Sequence, residues 1–548
     1  MGAASAATGP GPHGSRSRSA GCRIVATRPA RTMKLLRSTL SFGSMTFLSR
    51  LSGYARDVVQ AGVFGATAAT DAFLIAYRIP NFLRRIFAEG NFSQAFVPVF
   101  SAVRERGDPR ELRLLVDHVA GALATLVLVV SALGVLFAPG IAAMFAPGAL
   151  DEPQKFALTS EMLRITFPYL FFISLTALAA GVLNSYGRFA VPAVTPVLHN
   201  LCIIVAAVWL APRLQVPIKA LAWGVLAAGV VQLAVQWIAL ARIGFLPRFR
   251  FNLRFDGVRR VFGLMGPMIF GSSVAQINLL IGTMAASLLA TGSQTWLYLT
   301  DRLLEFPQGI VGAALGTVIL PALARRHAAG DGAGYSATLD WGLRMALLAS
   351  VPAMLGLVLM AEPLNATLYQ YGRFSAFDTR MAALSLMGLS VGLPGFMLAK
   401  VLAPAFYARQ DTRAPVRAAV LTVIANVVLM AAIVGFLVWR GIEGAHAGIA
   451  LATALAGTLN AVLLWRALDR AGTHQPRPGW PRFLLRIALA GAAMVAFLLL
   501  ARHQVGAWSA LAPGWRVIHL AWIVAGAALV YALALLATGM RPRHLREG

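Results

Sequence analysis

The chain has 548 residues, of which 58% are hydrophobic and only 13% charged, with a mean hydropathy of +0.70. Soluble domains carry about 25% charged residues, so the composition excludes a set of soluble domains and indicates a polytopic membrane protein. The 48 Lys and Arg against 21 Asp and Glu give a formal charge of +27. That excess falls in short segments between apolar runs, as a cytoplasmic-loop bias does, and needs no nucleic-acid partner to explain it.

Residues 1–32 are rich in Gly, Ser, Ala and Arg and contain no acid. Without an apolar h-region they do not read as a cleaved secretory signal; they read as a disordered extension ahead of Met33. Downstream, apolar stretches long enough to cross a ~30 Å hydrocarbon core occur near 38–60, 72–100, 116–144, 160–184, 192–212, 217–240 and 261–289. They continue near 294–322, 338–361, 381–406, 415–438, 444–466, 483–502 and 515–538. The runs are too long, and alternate too rarely, for barrel strands. The expected fold is all-α, with about fourteen transmembrane helices.

Placing the N-terminus inside puts 31 Lys and Arg on the cytoplasmic side, 9 on the other and 8 within spans. The charge bias therefore predicts an inner-membrane protein with both termini cytoplasmic.

An internal repeat lies at a constant offset of 223. Gly43, Met45 and Phe47 match Gly266, Met268 and Phe270; Pro98 matches Pro321, Asp117 matches Asp340, and Pro192 matches Pro415. Six helices separate the halves, an even number, so the halves have the same orientation, as in transporters built from parallel repeats. The expected organisation is a first lobe over 33–243 (helices 1 to 6), a second over 256–470 (helices 7 to 12), and helices 13 and 14 over 480–540.

Several chemistries are excluded. Two cysteines, Cys22 and Cys202, cannot make a disulfide framework or a cysteine metal cluster. None of the four lysines follows a glycine, so no nucleotide phosphate loop exists, and no two histidines have H-x-x-x-H spacing. Gly388-Leu389-Ser390-Val391-Gly392 matches G-x-S-x-G but lies inside an apolar run, without the strand-to-helix context a nucleophile elbow needs. No metal site or bound cofactor is indicated, and a transporter, a channel or a membrane-embedded transferase remains.

The eight bases within spans are Arg50, Arg56, Arg78, Arg84, Arg85, Arg302, Arg344 and Lys400, with Asp57, Asp71, Glu89, Asp301, Glu305 and Asp340 in or at the ends of spans. At about 2.5–3.5 kcal/mol each, such charges must face protein, water or the interface. On helix 1, Arg50 and Asp57 are seven apart, as are Ser49 and Arg56, so all four share one broad sector. On helix 2, Arg78, Arg85 and Glu89 share a stripe if Pro80 does not break the helix. On helix 8, Arg302 and Glu305 have i, i+3 spacing. Ion pairing accounts for single residues but not for the distribution: at the 223 offset Arg50, Arg56 and Arg84 become Ser273, Leu279 and Pro307. The arginines are concentrated in the first half, and a cavity between two lobes lined with arginines from helices 1, 2 and 8 suits a large anion with phosphate oxygens, which guanidinium groups bind bidentately. Gly312 and Gly316 form a G-x-x-x-G pair read as close packing, and Asn184–Arg188 and Tyr407–Asp411 read as tight turns.

The stretches Ser49-Arg50-Leu51-Ser52-Gly53-Tyr54-Ala55-Arg56-Asp57, Asp71-Ala72-Phe73 and Pro80 to Pro98, containing Leu83-Arg84-Arg85-Ile86-Phe87-Ala88-Glu89-Gly90, resemble the MurJ (MviN) lipid II flippase family. So do Asp301-Arg302-Leu303-Leu304-Glu305-Phe306-Pro307 and Lys400-Val401-Leu402-Ala403-Pro404. The resemblance runs from about Met33 to the C-terminus. It implies the multidrug/oligosaccharidyl-lipid/polysaccharide exporter fold, two six-helix lobes in a V with two extra helices. It also implies transfer of undecaprenyl-pyrophosphoryl-disaccharide-pentapeptide, lipid II, from the cytoplasmic to the periplasmic leaflet. By the same resemblance Ser49, Arg50, Arg56, Asp71, Arg84 and Arg302 bind substrate, supported by Asp57, Arg85, Glu89, Asp301, Glu305 and Lys400, and other cell-wall synthesis proteins are partners. Some relatives in the superfamily hold a cation on a helix 7 carboxylate; this chain has no acid between Asp256 and Asp301.

The sequence thus favours a flippase working by alternating access and driven by membrane potential or an ion gradient. A drug/cation antiporter, or another polyprenyl-linked saccharide exporter of the same architecture, is the rival. An antiporter for cations would want net acid where this chain has arginine. A transferase would need a free catalytic acid, and Asp301 and Glu305 have an arginine between them.

Overall fold

A computed structural model describes residues 29–87 and 91–540, and among them only helices and their connections occur. Residues 1–28 of the N-terminal extension, and Glu89, lie outside the described residues. The first half comprises α1 (Pro29–Phe64), α2 (Ala68–Phe87), α3 (Asn91–Glu105), α4 (Pro109–Leu136), α5 (Ala138–Phe145), α6 (Pro153–Thr166), α7 (Tyr169–Ser185), α8 (Ala190–Val205) and α9 (Lys219–Arg242). The second comprises α10 (Asp256–Ser287), α11 (Ser293–Ala328), α12 (Gly332–Leu359), α13 (Ala361–Leu368), α14 (Ala376–Ser390), α15 (Leu393–Ala408), α16 (Arg413–Trp439) and α17 (His446–Arg470), followed by α18 (Trp480–Val505) and α19 (Pro513–Ala537).

Each apolar run of the sequence falls on one helix or two consecutive ones. By length and composition nine spans among the described residues qualify as membrane-crossing, ten with the α14–α15 pair, which bends by 42°. The number fourteen is not established by that measure. The runs it does not select lie at α1, α2 with α3, α10 and α11, and three of these carry the charged constellation, whose polar side chains lower the hydropathy of the helices that bear them. The chain is a multi-pass membrane protein, and Leu421, Ile424 and Val428 on α16 and Leu485, Leu500 and Leu529 on α18 and α19 present apolar surface outward.

The repeat has a structural counterpart. Gly107 and Gly330, 223 apart, both have positive φ (82° and 69°), and the residues that follow, Asp108 and Asp331, both cap the next helix by accepting backbone N–H groups. Gly187 (φ 73°) corresponds to Gln410 (φ 59°), a non-glycine residue in the left-handed region that side chains rarely adopt. The enclosing bonds correspond as well: Arg188 N donates to Leu183 O at 2.9 Å and Asp411 N to Phe406 O at 3.0 Å. Both expected tight turns are therefore the same turn.

Apolar clusters define the lobes. Phe92, Phe96, Leu115, Leu123 and Val182 pack together in the first half, and Leu339, Leu343, Met397, Val401 and Leu464 in the second. Helix α10 joins both, with Val261 and Met265 in the first cluster and Ala286 in the second. Helices α18 and α19 pack on the second lobe through Met494, Leu498, Ile523 and Met360. The halves also meet at the end carrying the loop after α1: Arg373 N donates to Gly62 O at 2.9 Å, and Gly148 N to Ser287 Oγ at 3.3 Å.

Candidate functional site

Between the lobes lies a cavity of ≈390 Å³ lined by Ser49, Arg50, Arg56, Asp57, Arg302, Glu305 and Lys400, with Tyr54, Asn200 and Gln308 among the uncharged groups. The broad polar sector expected on helix 1 is its first-half wall. Four cations face two acids, so the site is net positive. A neighbouring cavity on the first-lobe side shares Arg56 and Arg302 with it and adds Arg84; another toward α10 shares Arg302 and Glu305 and adds Arg78, Arg85 and Asp301, so the central space is branched.

At its base is a network of buried charge. Arg56 and Asp57 are 5% and 2% exposed. Arg56 donates from Nε and Nη2 to Asp57 Oδ1 at 3.0 and 2.6 Å, from Nη1 to Asn200 Oδ1 on α8 at 3.1 Å, and from Nη2 to Tyr298 Oη on α11 at 2.7 Å. The Tyr298 hydroxyl in turn donates to Asp57 Oδ1 at 3.0 Å and accepts from Arg302 Nε at 3.2 Å. Arg302 reaches Glu305 Oε2 at 2.9 Å, the i, i+3 pair expected from sequence, and lies 3.6 Å from Asp57 Oδ2. Tyr298 is thus the joint between the halves. No charge marks it in the sequence; its position four residues before Arg302, on the same helical face, is the one signal.

The cations nearer the opening have fewer partners. Arg50 is exposed and makes no ion pair among the described residues. It lies against Gly309, where a Cβ would overlap the guanidinium. Lys400 on α15 donates from Nζ to Gln308 O at 3.1 Å, and a Cβ at Gly312 would come within 2.9 Å of its Cδ. Glycine on α11 therefore makes room for two cavity cations. In the G-x-x-x-G pair only Gly312 has this close neighbour; a Cβ at Gly316 meets nothing within 4 Å.

On α2, which continues through Pro80, Arg78 donates to Thr283 Oγ1 at 2.7 Å and stands 3.9 Å from Asp301 Oδ2. Arg84 donates to Asn81 Oδ1 at 2.8 Å, and Arg85 to Gln276 Oε1 on α10 at 3.2 Å. Asp71 is brought elsewhere. Its carboxylate accepts from Gly292 N at 2.7 Å and from Thr295 N and Oγ1 at 3.0 and 2.7 Å, holding the N-terminus of α11 from the opposite half. A buried carboxylate there is favoured by the unpaired N–H groups of the helix end. No group of three His, Cys, Asp or Glu placed to hold a metal exists among the described residues. On α10, Asn278 accepts from Asn426 Nδ2 at 2.7 Å.

Two helical lobes enclosing a cationic, acid-braced cavity are the architecture of a membrane transporter, with a lining suited to an anionic substrate. Residues 60–525 match the family model described as lipid II flippase MurJ. A probable lipid II flippase MurJ of Vibrio cholerae is 42% identical over 520 residues, covering 94% of this chain and 98% of that one. The chain belongs to the MurJ lipid II flippase family. Among solved structures, lipid II flippase MurJ in an inward closed conformation superposes with a TM-score of 0.72 at 24% identity, covering 91% of this chain and 97% of that chain. An inward-facing multidrug resistance MATE family transporter reaches 0.61 at 14% identity, covering 78% and 95%. Both structures share the fold, and the MATE likeness is the weaker.

Proposed function

We propose that this chain, a transporter rather than an enzyme, carries lipid II from the cytoplasmic to the periplasmic leaflet of the bacterial inner membrane by alternating access. The observation that carries this reading is the excess of cations in a cavity formed by both lobes. Arg50, Arg56, Arg302 and Lys400 would receive the pyrophosphate, with Arg84 at the first-lobe branch, while the polyprenyl tail stays in lipid. Hydrogen bonds to charged groups contribute about 1.5–3 kcal/mol each. A drug cation would meet the wrong sign of field in such a cavity.

Both termini are cytoplasmic in this reading, from the 31 to 9 distribution of basic residues, so the lobes meet at the periplasmic end and the cycle opens that end. Ser49 shapes the wall through its carbonyl, which accepts from Ser52 Oγ and Asn200 Nδ2. Asp71 acts by holding α11 across the halves. The driving force is the membrane potential or an ion gradient, since one net charge crossing about 100 mV gains about 2.3 kcal/mol. Other cell-wall synthesis proteins, which consume the product, are the expected neighbours.

Reconstituted vesicles containing the full chain and labelled lipid II test this. Flipping should require the protein, fall when an ionophore collapses the potential, and vanish in Arg302→Ala protein that is present at normal level. Flipping by Arg302→Ala at the unsubstituted rate would overturn the binding role.

A further inference from the structure

We propose that the branch of the cavity inside the first lobe is the subsite for the sugar next to the pyrophosphate; this rests on the lipid II reading above. The branch has a volume of ≈310 Å³, at the small end of the roughly 300–1,000 Å³ of ligand sites. Arg56 and Arg302 line both it and the cavity assigned to the pyrophosphate, so a group bonded directly to the pyrophosphate lies within its reach.

Arg84 joins Arg56 and Arg302 in its lining, and its other polar groups are Tyr, Thr, Asn, Gln and His side chains. Gln232 and Gln236 on α9 are 2% and 1% exposed, and His199 on α8 is 8% exposed. The glutamine Nε2 groups donate to Thr195 O and Thr195 Oγ1 at 2.8 and 2.9 Å, and His199 Nε2 pairs with Tyr77 Oη at 3.2 Å. That leaves Gln232 Oε1, Gln236 Oε1 and His199 Nδ1 buried with no hydrogen-bond partner among the described residues. Buried polar groups are ordinarily paired, and leaving them unpaired costs stability.

The orphaned glutamine atoms are carbonyl acceptors, and His199 Nδ1 accepts or donates according to the tautomer of the ring. A phosphate has only acceptor oxygens to offer the two glutamines. Hydroxyl and acetamido N–H groups of an amino sugar are donors and satisfy them. Tyr77 and Tyr169 flank His199 with ring centroids 6.1 and 5.6 Å from it, giving flat apolar faces beside the acceptors. Proximity to Arg56 and Arg302 favours the sugar over the peptide, which hangs further from the pyrophosphate.

The test compares three ligands on the purified full chain: undecaprenyl pyrophosphate, its disaccharide-bearing form without peptide, and complete lipid II. Two variants alter the branch independently, Gln232→Leu with Gln236→Leu removing the acceptors and Ala180→Leu filling the space. Each should weaken both sugar-bearing lipids about tenfold, as the loss of one or two hydrogen bonds does, and leave undecaprenyl pyrophosphate within about twofold. Equal weakening of all three ligands, or of none, would overturn the proposal. Weakening confined to the peptide-bearing lipid would overturn it in favour of a peptide subsite. If the unsubstituted chain failed to bind undecaprenyl pyrophosphate, the pyrophosphate reading itself would fall and this inference with it.

Discussion

The two halves of the chain keep the same skeleton and diverge at the cavity. Asp117 on α4 and Asp340 on α12 are repeat equivalents, buried to 3% and 1%, and each ties down the segment that follows the sixth helix of its own half. Asp117 Oδ1 accepts from Arg248 N at 2.7 Å; Asp340 Oδ1 accepts from Trp480 Nε1 at 2.6 Å and its Oδ2 pairs with Arg344 at 2.8 Å. Arg56, in contrast, has Leu279 as its equivalent. What duplication preserved holds the lobes together, and what it did not preserve lines the space between them. A charge kept in both halves is therefore read as structural, and a charge kept in one as functional.

The largest effect should come from giving the first half the residue of the second. Arg56→Leu leaves Asp57 buried with less compensation; removing one member of such a pair costs about 3–5 kcal/mol. Loss of complementation in a depletion strain is expected, with a lowered unfolding temperature, and normal growth would break the comparison. Tyr298→Phe removes the hydroxyl shared by Arg56, Asp57 and Arg302 but leaves the ion pairs. A fall in flipping of about 10–100-fold is expected, as for one hydrogen bond to charged groups, measured in vesicles at matched protein level.

The anchors should behave alike in the two halves. Asp117→Ala and Asp340→Ala each orphan buried donors, at about 1–3 kcal/mol. Both should lower the thermal midpoint while flipping per folded molecule is retained; loss in one half only would contradict their equivalence.

The smallest effect concerns His474 in the linker after α17. Burial pushes its imidazole below the ordinary value, against the opposite pull of Asp340 and Asp469. The folded chain thus holds it neutral, and the unfolded chain takes up a proton near about pH 6.5. Its contribution to stability is complete above that pH and is lost as pH falls through it toward the lower folded value. His474→Gln should flatten the decline in thermal midpoint between about pH 7 and 5.

Much of this was legible in the sequence because apolar runs and misplaced charges are strong signals. Every run proved helical in its described residues except for short breaks between consecutive helices, and Ser49, Arg50, Arg56, Asp57, Arg302, Glu305 and Lys400 converge on one cavity. The breaks within runs were not legible. Prolines open the second piece at Pro139, Pro168 and Pro394, yet Pro80, Pro98, Pro307 and Pro321 sit inside continuous helices, since neighbouring helices can satisfy the freed carbonyl. Tyr298, Asn200, Gln232 and Gln236 escaped notice because uncharged polar residues barely disturb an apolar run. Asp71 entered the binding set by the family resemblance alone, and the helix end it caps is set by tertiary packing that no local pattern shows.

The central claim, that an excess of cations from unlike halves receives a pyrophosphate, is tested most directly at Arg50 and Lys400. Neither pairs with an acid among the described residues, so their charge is available to a ligand and its removal should cost little stability. Binding of undecaprenyl pyrophosphate to the purified chain should weaken about 100-fold or more in Arg50→Gln, Lys400→Gln double-variant protein, with the thermal midpoint unchanged. Affinity equal to that of the unsubstituted chain would contradict the account.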